Sequence, residues 1–408
     1  MVDVLFCVMH APRAFSRSLV LSLLAALPAL LAHAQDPFAA IPPKLQAFVD
    51  QGEIAGAVTL VATRDRILHL AAVGKSDLGT GRDMTPDDLF WIASMSKPMT
   101  AVAVAMLADE GKLKFSDPVA NYLPEYANLW VLDQETTDRR VLVRPTRPVT
   151  IHDLLTHTSG LGEYVVYGPH WTLAEMVKSM TREPLKFQPG TRWSYSTAGI
   201  DALGRIVEVV SGLPFAEFMQ RRLFTPLEMK DTTFWPSPAE QARLATSYSR
   251  NKQTGRLEVA SIYYLYGGAV TDRERPALGG AGLFSTAADV AKFYQMLLNG
   301  GEANSRRLLQ PATVRELTSV QTAGIKAGFL PGSAWGLGFC LVTEPQGATA
   351  ALSPGTFGHC GAYGTQSWAD PTRGIIYIMM IQRAGLPNSD GSDMRRVFQE
   401  TAATALGH

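Results

Sequence analysis

The chain has 408 residues, 46% of them apolar and 18% charged, and its 37 basic side chains balance 37 acidic ones for a formal net charge of zero. Those proportions exclude a disordered chain, and the even charge, with no block of one sign, argues against a nucleic-acid partner or an acidic membrane surface. The length suffices for one large domain, or two interleaved ones, around an ample core.

Residues 1–34 read as a cleaved secretory signal. Arg13 and Arg17 precede the apolar run Leu19–Leu31, and Ala32-His33-Ala34 puts small residues where a signal peptidase cuts. The run is short for a membrane span, Met9 offers an internal start, and the absence of a cysteine at the cleavage site speaks against a lipid anchor. The expectation is an exported protein, periplasmic or secreted, with no membrane anchor. Cleavage removes Cys7 and leaves Cys340 and Cys360, which can pair or stay free.

From residue 35 on, residues 38–52 predict a helix with Leu45, Phe48 and Val49 on one face. Ala55–Ala62 and Ile67–Val73 predict a hairpin around Thr63-Arg64-Asp65-Arg66. A helix beginning near Ser94 runs through the apolar Ala101–Leu107 to a stop at Gly111, with Pro98 tolerated in its first turn. Asp133–Pro148, polar and proline-containing, reads as an excursion or loop. Ile151–Leu155, Thr172–Met180 and Ile200–Val210 are further helical patterns, the last closed by Gly212. Ser285–Leu298 predicts an amphipathic helix, Gly336–Thr343, Thr356–Ala369 and Gly374–Ile381 predict strands, and Arg395–Ala405 a closing helix. Strands at both ends with helices between predict an α/β (α+β) fold. Its antiparallel sheet is built from both termini (35–90 and 275–408) and flanked by helices. A mostly helical part is inserted over 91–274, with the active site between the two.

Within that frame, Ser94-Met95-Ser96-Lys97 places a hydroxyl and an amine one helical turn apart. A serine needs a base within hydrogen-bond reach to act as a nucleophile, and a helix start favours negative charge on the attacking oxygen. The pattern is common enough that Ser249-Arg250-Asn251-Lys252 repeats it, in a polar stretch that reads as a surface turn. Tyr195, beside small residues at a loop-to-helix junction, is either a core tyrosine or a hydroxyl presented to a cleft. His359, in the glycine-rich Phe357–Gly364 stretch, is either an edge-strand histidine or a site residue. His157, in Thr156-His157-Thr158-Ser159-Gly160, reads as structural. There is no C-x-x-C, H-E-x-x-H, G-x-G-x-x-G, P-loop or G-x-S-x-G. No metal or nucleotide cofactor is therefore expected, and an α/β-hydrolase nucleophile elbow is excluded.

In order and spacing, these segments resemble the serine β-lactamase-like, penicillin-binding family, in particular its class C β-lactamase and family VIII carboxylesterase branch. The matching stretches also include Asp117-Pro118-Val119, Gly279-Gly280-Ala281-Gly282-Leu283 and Trp335-Gly336-Leu337-Gly338-Phe339. The resemblance implies that Ser94 is acylated, that Lys97 helps deprotonate it, and that Tyr195 relays a proton to the leaving group. It also implies that His359 and Gly361 form the third motif, and that the backbone N–H groups of Ser94 and Ala362 form an oxyanion hole. The chain departs from β-lactamases twice. Thr197 stands where they carry asparagine, and His359 where they carry lysine. Both changes weaken recognition of an anionic acylamino substrate and move the expectation toward small esters.

The expected activity is therefore that of a serine hydrolase without a cofactor, a carboxylesterase with a small-molecule ester or amide substrate. The alternatives are a β-lactamase, D-alanyl peptidase or amide hydrolase, or a non-catalytic relative. Tyr164, Tyr167, Trp171 and Trp368 are candidates to line the pocket. Nothing in the sequence indicates an oligomeric state.

Overall fold

A computed structural model describes Met9 and residues 36–407. The signal-peptide reading of residues 1–34 falls almost wholly outside that range. Helix α1 (Ile41–Asp50) leads into β1 (Gly56–Thr63) and β2 (Ile67–Asp77), the expected hairpin, followed by the short β3 (Arg82–Asp83). The other sheet strands come from the far end of the chain: β4 (Ser333–Trp335), β5 (Cys340–Val342), β6 (Phe357–Cys360), β7 (Gln366–Asp370) and β8 (Ile375–Met380). Their order is β4-β5-β6-β7-β8-β1-β2-β3, and every pair is antiparallel. The chain thus has the mixed helix-and-sheet fold expected from its sequence, with one large antiparallel sheet assembled from both ends.

Both faces of the sheet are covered, so its central strands are continuously apolar. Along β8, Ile376, Ile378 and Met380 enter one core while Ile375, Tyr377 and Met379 enter the other, the two-residue alternation of a pleated strand. The second core is closed by Ile41 and Leu45 of α1 and by Phe398 of the C-terminal helix. The first contains helix α2 (Ser96–Asp109), buried at every residue from Ser96 to Leu107. A helix apolar all round belongs inside a protein, and this one carries the candidate lysine into the interior. Helix α3 (Thr197–Ser211) packs beside it, capped by the Ser196 side chain, which accepts from Gly199 N–H, and ended by left-handed Gly212 at φ +73°. The Ser196 cap explains why the helix starts three residues before the periodic apolar pattern predicts.

Several expected elements differ. Gly336–Thr343 is not one strand: the chain reverses between β4 and β5 at Gly338, φ +82°, where a Cβ would lie 2.4 Å from the Ala101 Cβ of α2. Thr356–Ala369 likewise splits into β6 and β7, joined by the turn that contains Gly361 and Ala362. The polar stretch after Asp133, read as an excursion or loop, begins in a hairpin, with Val131–Glu135 paired to Arg140–Val143. Ser249 lies in the strand Tyr248–Arg250, which pairs with Leu257–Val259, and Lys252 follows in the turn, so the second S-x-x-K copy has no shared helix face.

Candidate active site

Ser94 is presented by a tight turn rather than by the α-helix itself. The strand Phe90–Trp91 pairs with Phe284–Ser285, and Ile92 N–H donates to Leu283 O at 3.1 Å. The chain then enters a 3₁₀ turn, Ala93–Met95, before α2 begins at Ser96. Ala93 adopts φ +47°, a left-handed conformation that alanine rarely takes, and such backbone strain concentrates at functional sites. Ser96 locks the turn: its Oγ donates to Ala93 O at 2.7 Å and accepts from Leu283 N–H at 3.2 Å.

Lys97 is fully buried, and its Nζ lies 3.0 Å from Ser94 Oγ, 3.2 Å from Thr197 Oγ1 and 2.7 Å from Gly280 O. Burial pushes its pKa down from 10.5 to about 7, against the opposing pull of the Asp201 and Glu163 carboxylates. The Gly280 carbonyl can only accept, so it takes one N–H from a neutral amine. Thr197 takes the second, and the lone pair is left for the Ser94 hydroxyl. The residues Gly279 and Gly280 make this approach feasible. A Cβ on Gly279 would come within 2.7 Å of Thr100 Oγ1, and one on Gly280 within 2.7 Å of the Thr197 carbonyl.

Tyr195 flanks the pair. Lys97 Nζ stands 4.7 Å from the centre of its ring, which places the phenol beside the Ser94–Lys97 pair. Burial holds its pKa well above the ordinary value of 10, so the phenol keeps its proton near neutrality. His359 is buried with Nδ1 2.7 Å from Cys360 O, an atom that only accepts, so Nδ1 bears the hydrogen. Nε2 is then left to accept from Tyr195 Oη, 3.4 Å away. Burial and the neighbouring Lys97 push His359 down to about 3, which keeps the ring neutral.

The third-motif turn is joined to the nucleophile turn. Thr365 Oγ1 donates to Ile92 O at 3.4 Å, and Gly361 N–H to Thr365 O at 2.7 Å. A Cβ on Gly361 would fall 1.9 Å from Thr365 Oγ1 and 2.8 Å from Ile92 O. Gly361→Ala is therefore expected to cost about 1–3 kcal/mol of stability as the turn is forced off Ile92. Esterase activity should fall with it, as a thermal melt and a p-nitrophenyl ester assay would register.

Sequence reasoning missed Asp201 and misplaced Trp368. His157, expected to be structural, is buried with its ring 4.5 Å from that of Tyr195, and its Nδ1 accepts from Ser196 N–H. Asp201, one turn after Thr197 on α3, is buried and was not anticipated. A lone acid within the apolar run Ile200–Leu203 was the available signal. Of the candidate pocket residues, Trp368 is in the second core, with Arg395 stacked on its ring at 4.0 Å, so it cannot line the site. Tyr164 reaches Asp201, while Tyr167 and Trp171 are exposed. Phe329, Trp193 and Trp335 form an aromatic wall around Tyr195, with the Phe329 ring 5.0 Å from it.

Cys340 and Cys360 are both free and buried. Cys360 turns to the second core, where its thiol donates to Asp390 Oδ1 at 2.7 Å and Gln366 Oε1 at 2.9 Å. Among the described residues no cluster of ligands could hold a metal.

The Beta-lactamase family model matches residues 43–402. Esterase EstB of Burkholderia gladioli is 30% identical over 381 residues, covering 85% of this chain and 91% of EstB. Lovastatin esterase of Penicillium rubens is 34% identical over 284 residues, 66% of this chain and 69% of that enzyme. Among solved structures, EstCE1, a hydrolase with promiscuous acyltransferase activity, superposes with a TM-score of 0.74 at 25% identity, covering 91% of this chain and 99% of EstCE1.

Proposed function

The chain belongs to the Beta-lactamase family and is a serine hydrolase, and from that premise we propose that it is an exported carboxylesterase working through an acyl-enzyme on Ser94. The observation that carries the reading is the buried Lys97 amine 3.0 Å from Ser94 Oγ. In the first half-reaction Lys97 takes the Ser94 proton while Oγ bonds to the ester carbonyl carbon. Backbone N–H groups of Ser94 and Ala362 hold the oxyanion. The C–O bond to the alcohol then breaks as Tyr195, a protonated phenol beside the pair, gives its proton to the leaving oxygen and takes up the one that Lys97 acquired, so that Lys97 is again a neutral base. In the second half-reaction the same groups activate water against the acyl-enzyme and return the proton to Ser94.

Esters are favoured over β-lactams and peptides by two residues. A β-lactam carries a carboxylate that a lysine of the third motif would meet, whereas the neutral His359 offers no charge. Thr197 spends its hydroxyl on Lys97 and has no amide to pair with an acylamino side chain. The two esterase relatives agree with this preference. The arginines, apolar run and Ala32-His33-Ala34 of residues 1–34 support export to the periplasm or outside the cell.

Turnover of p-nitrophenyl butyrate and of a chromogenic cephalosporin, measured side by side, tests the preference. The ester is expected to have the higher kcat/KM. A faster cephalosporin would transfer the assignment to a β-lactamase.

A further inference from the structure

Asp201 is a carboxylate on an apolar helix, fully buried, and it forms no salt bridge among the described residues. Such a group is costly unless its lone pairs are filled and a charge lies nearby. Its lone pairs are filled from three directions. Gly280 N–H donates at 2.7 Å, Tyr264 Oη at 3.0 Å, and Tyr164 Oη closes the set. The same Gly280 residue accepts from Lys97 Nζ through its carbonyl, so one glycine bridges carboxylate and amine. Thr197, four residues earlier on α3, holds the other side of Lys97.

When Lys97 takes the serine proton, a full positive charge arises where water is excluded. The charged and titratable groups that face it are few. From the turn after the helix Ile151–Leu155 comes His157, from the loop before α3 Tyr195, from β6 His359, and from the segment after Gly160 come Glu163 and Tyr164. Tyr264 and Tyr266 come from the excursion before Gly279. Both histidines are held neutral by burial, the tyrosines keep their protons, and Glu163 is exposed. That leaves Asp201 as the buried anion able to balance the ammonium.

We propose that Asp201 is a positioning residue for catalysis: it fixes Gly280, and through it Lys97, and its charge stabilises Lys97 as the proton arrives from Ser94. No bond forms to Asp201, and the proton moves only from Ser94 Oγ to Lys97 Nζ. The three donors keep the carboxylate ionised beside the amine, and two of them tie the Tyr164 and Tyr264 segments to the catalytic base. This inference rests on the Ser94–Lys97 reading above.

The test is the pH profile of ester hydrolysis by Asp201→Asn and Tyr164→Phe, with melting curves to establish folding. In Asp201→Asn, kcat is expected to fall about 10-fold or more with little change in KM. The acid limb should also move to lower pH, because an amine without its anion releases its proton more readily. Tyr164→Phe keeps the carboxylate but removes one donor, so the anion protonates sooner and the limb should move the same way by less. A folded Asp201→Asn with an unmoved limb overturns the proposal, whether or not kcat falls, because a merely structural aspartate would leave the limb in place. If that variant does not fold, an unmoved limb in Tyr164→Phe overturns it instead. Undiminished activity in Ser94→Ala would reject the underlying reading rather than the role of Asp201.

Discussion

Ser94→Ala is expected to lower ester hydrolysis by about 10⁵-fold, leaving the residue of activity that oxyanion donors and binding supply without a nucleophile. The strained Ala93 turn, the Ser96 hydroxyl locked to Ala93 O and Leu283 N–H, and the buried lysine all converge on one hydroxyl. Among the described residues no other serine has that combination: Ser249, the other S-x-x-K serine, lies in a short strand with Lys252 in the turn beyond it. The variant should keep its melting temperature, because Ser94 contributes one hydrogen bond to Lys97 and no core packing. A continuous p-nitrophenyl ester assay against wild type gives the ratio.

Lys97→Met should be nearly as severe, with a loss of about 10³-fold for removal of the general base. In the wild type, burial lowers the lysine pKa to about 7, so the neutral amine that can accept a proton exists above that pH. Activity should therefore rise as pH increases through about 7 and level off above it, and Lys97→Met should lack this limb. Stability should rise over a higher pH range. In the unfolded chain the lysine holds its proton up to about its ordinary value near 10.5, while in the folded protein it gives it up near 7. Between those values the unfolded state binds more protons, so this lysine penalises folding fully below pH 7 and less as pH rises. Asp201, raised by burial to about 6, has its own window between the ordinary carboxylate value and about 6, below this range. Lys97→Met should accordingly melt above wild type, by a margin larger at pH 7 than at pH 9. A base that costs stability where it works is a common arrangement in active sites.

Much of this could be read from the residues because the signals were local. The hairpin of β1 and β2, the apolar helix behind Ser94 and the Gly212 stop all depend on neighbours within a few positions. The family resemblance carried by Ser94, Lys97, Tyr195 and His359 agrees with the match over residues 43–402. The segments that misled are those where a distant contact decides. Gly338 turns the chain because α2 stands against it, and Gly336–Thr343 reads as one strand until Ala101 is in place. The polar stretch 131–143 pairs with itself although its composition is that of a loop. Trp368 is as aromatic as any pocket residue, and only the alternation along β7 assigns it to the far core.

The polar shell around Lys97 was hidden for the same reason. Tyr164, Asp201, Tyr264 and Gly280 are spread over more than a hundred residues, and no spacing rule relates them. Their meeting depends on two glycines small enough to let the loop before Ala281 pass between α2 and α3. Once the loop is there, one carbonyl and one hydroxyl hold the amine, and the lone pair that remains points to Ser94. The chemistry of the site thus follows from close packing as much as from the identity of its reactive groups.

The most direct test of the account is labelling with a fluorophosphonate, read by intact mass and peptide mapping across a pH series. The prediction is a single adduct on the peptide containing Ser94, forming faster as pH rises through about 7 and absent from Ser94→Ala. An adduct on another residue, or an unlabelled protein that still hydrolyses esters, would contradict it.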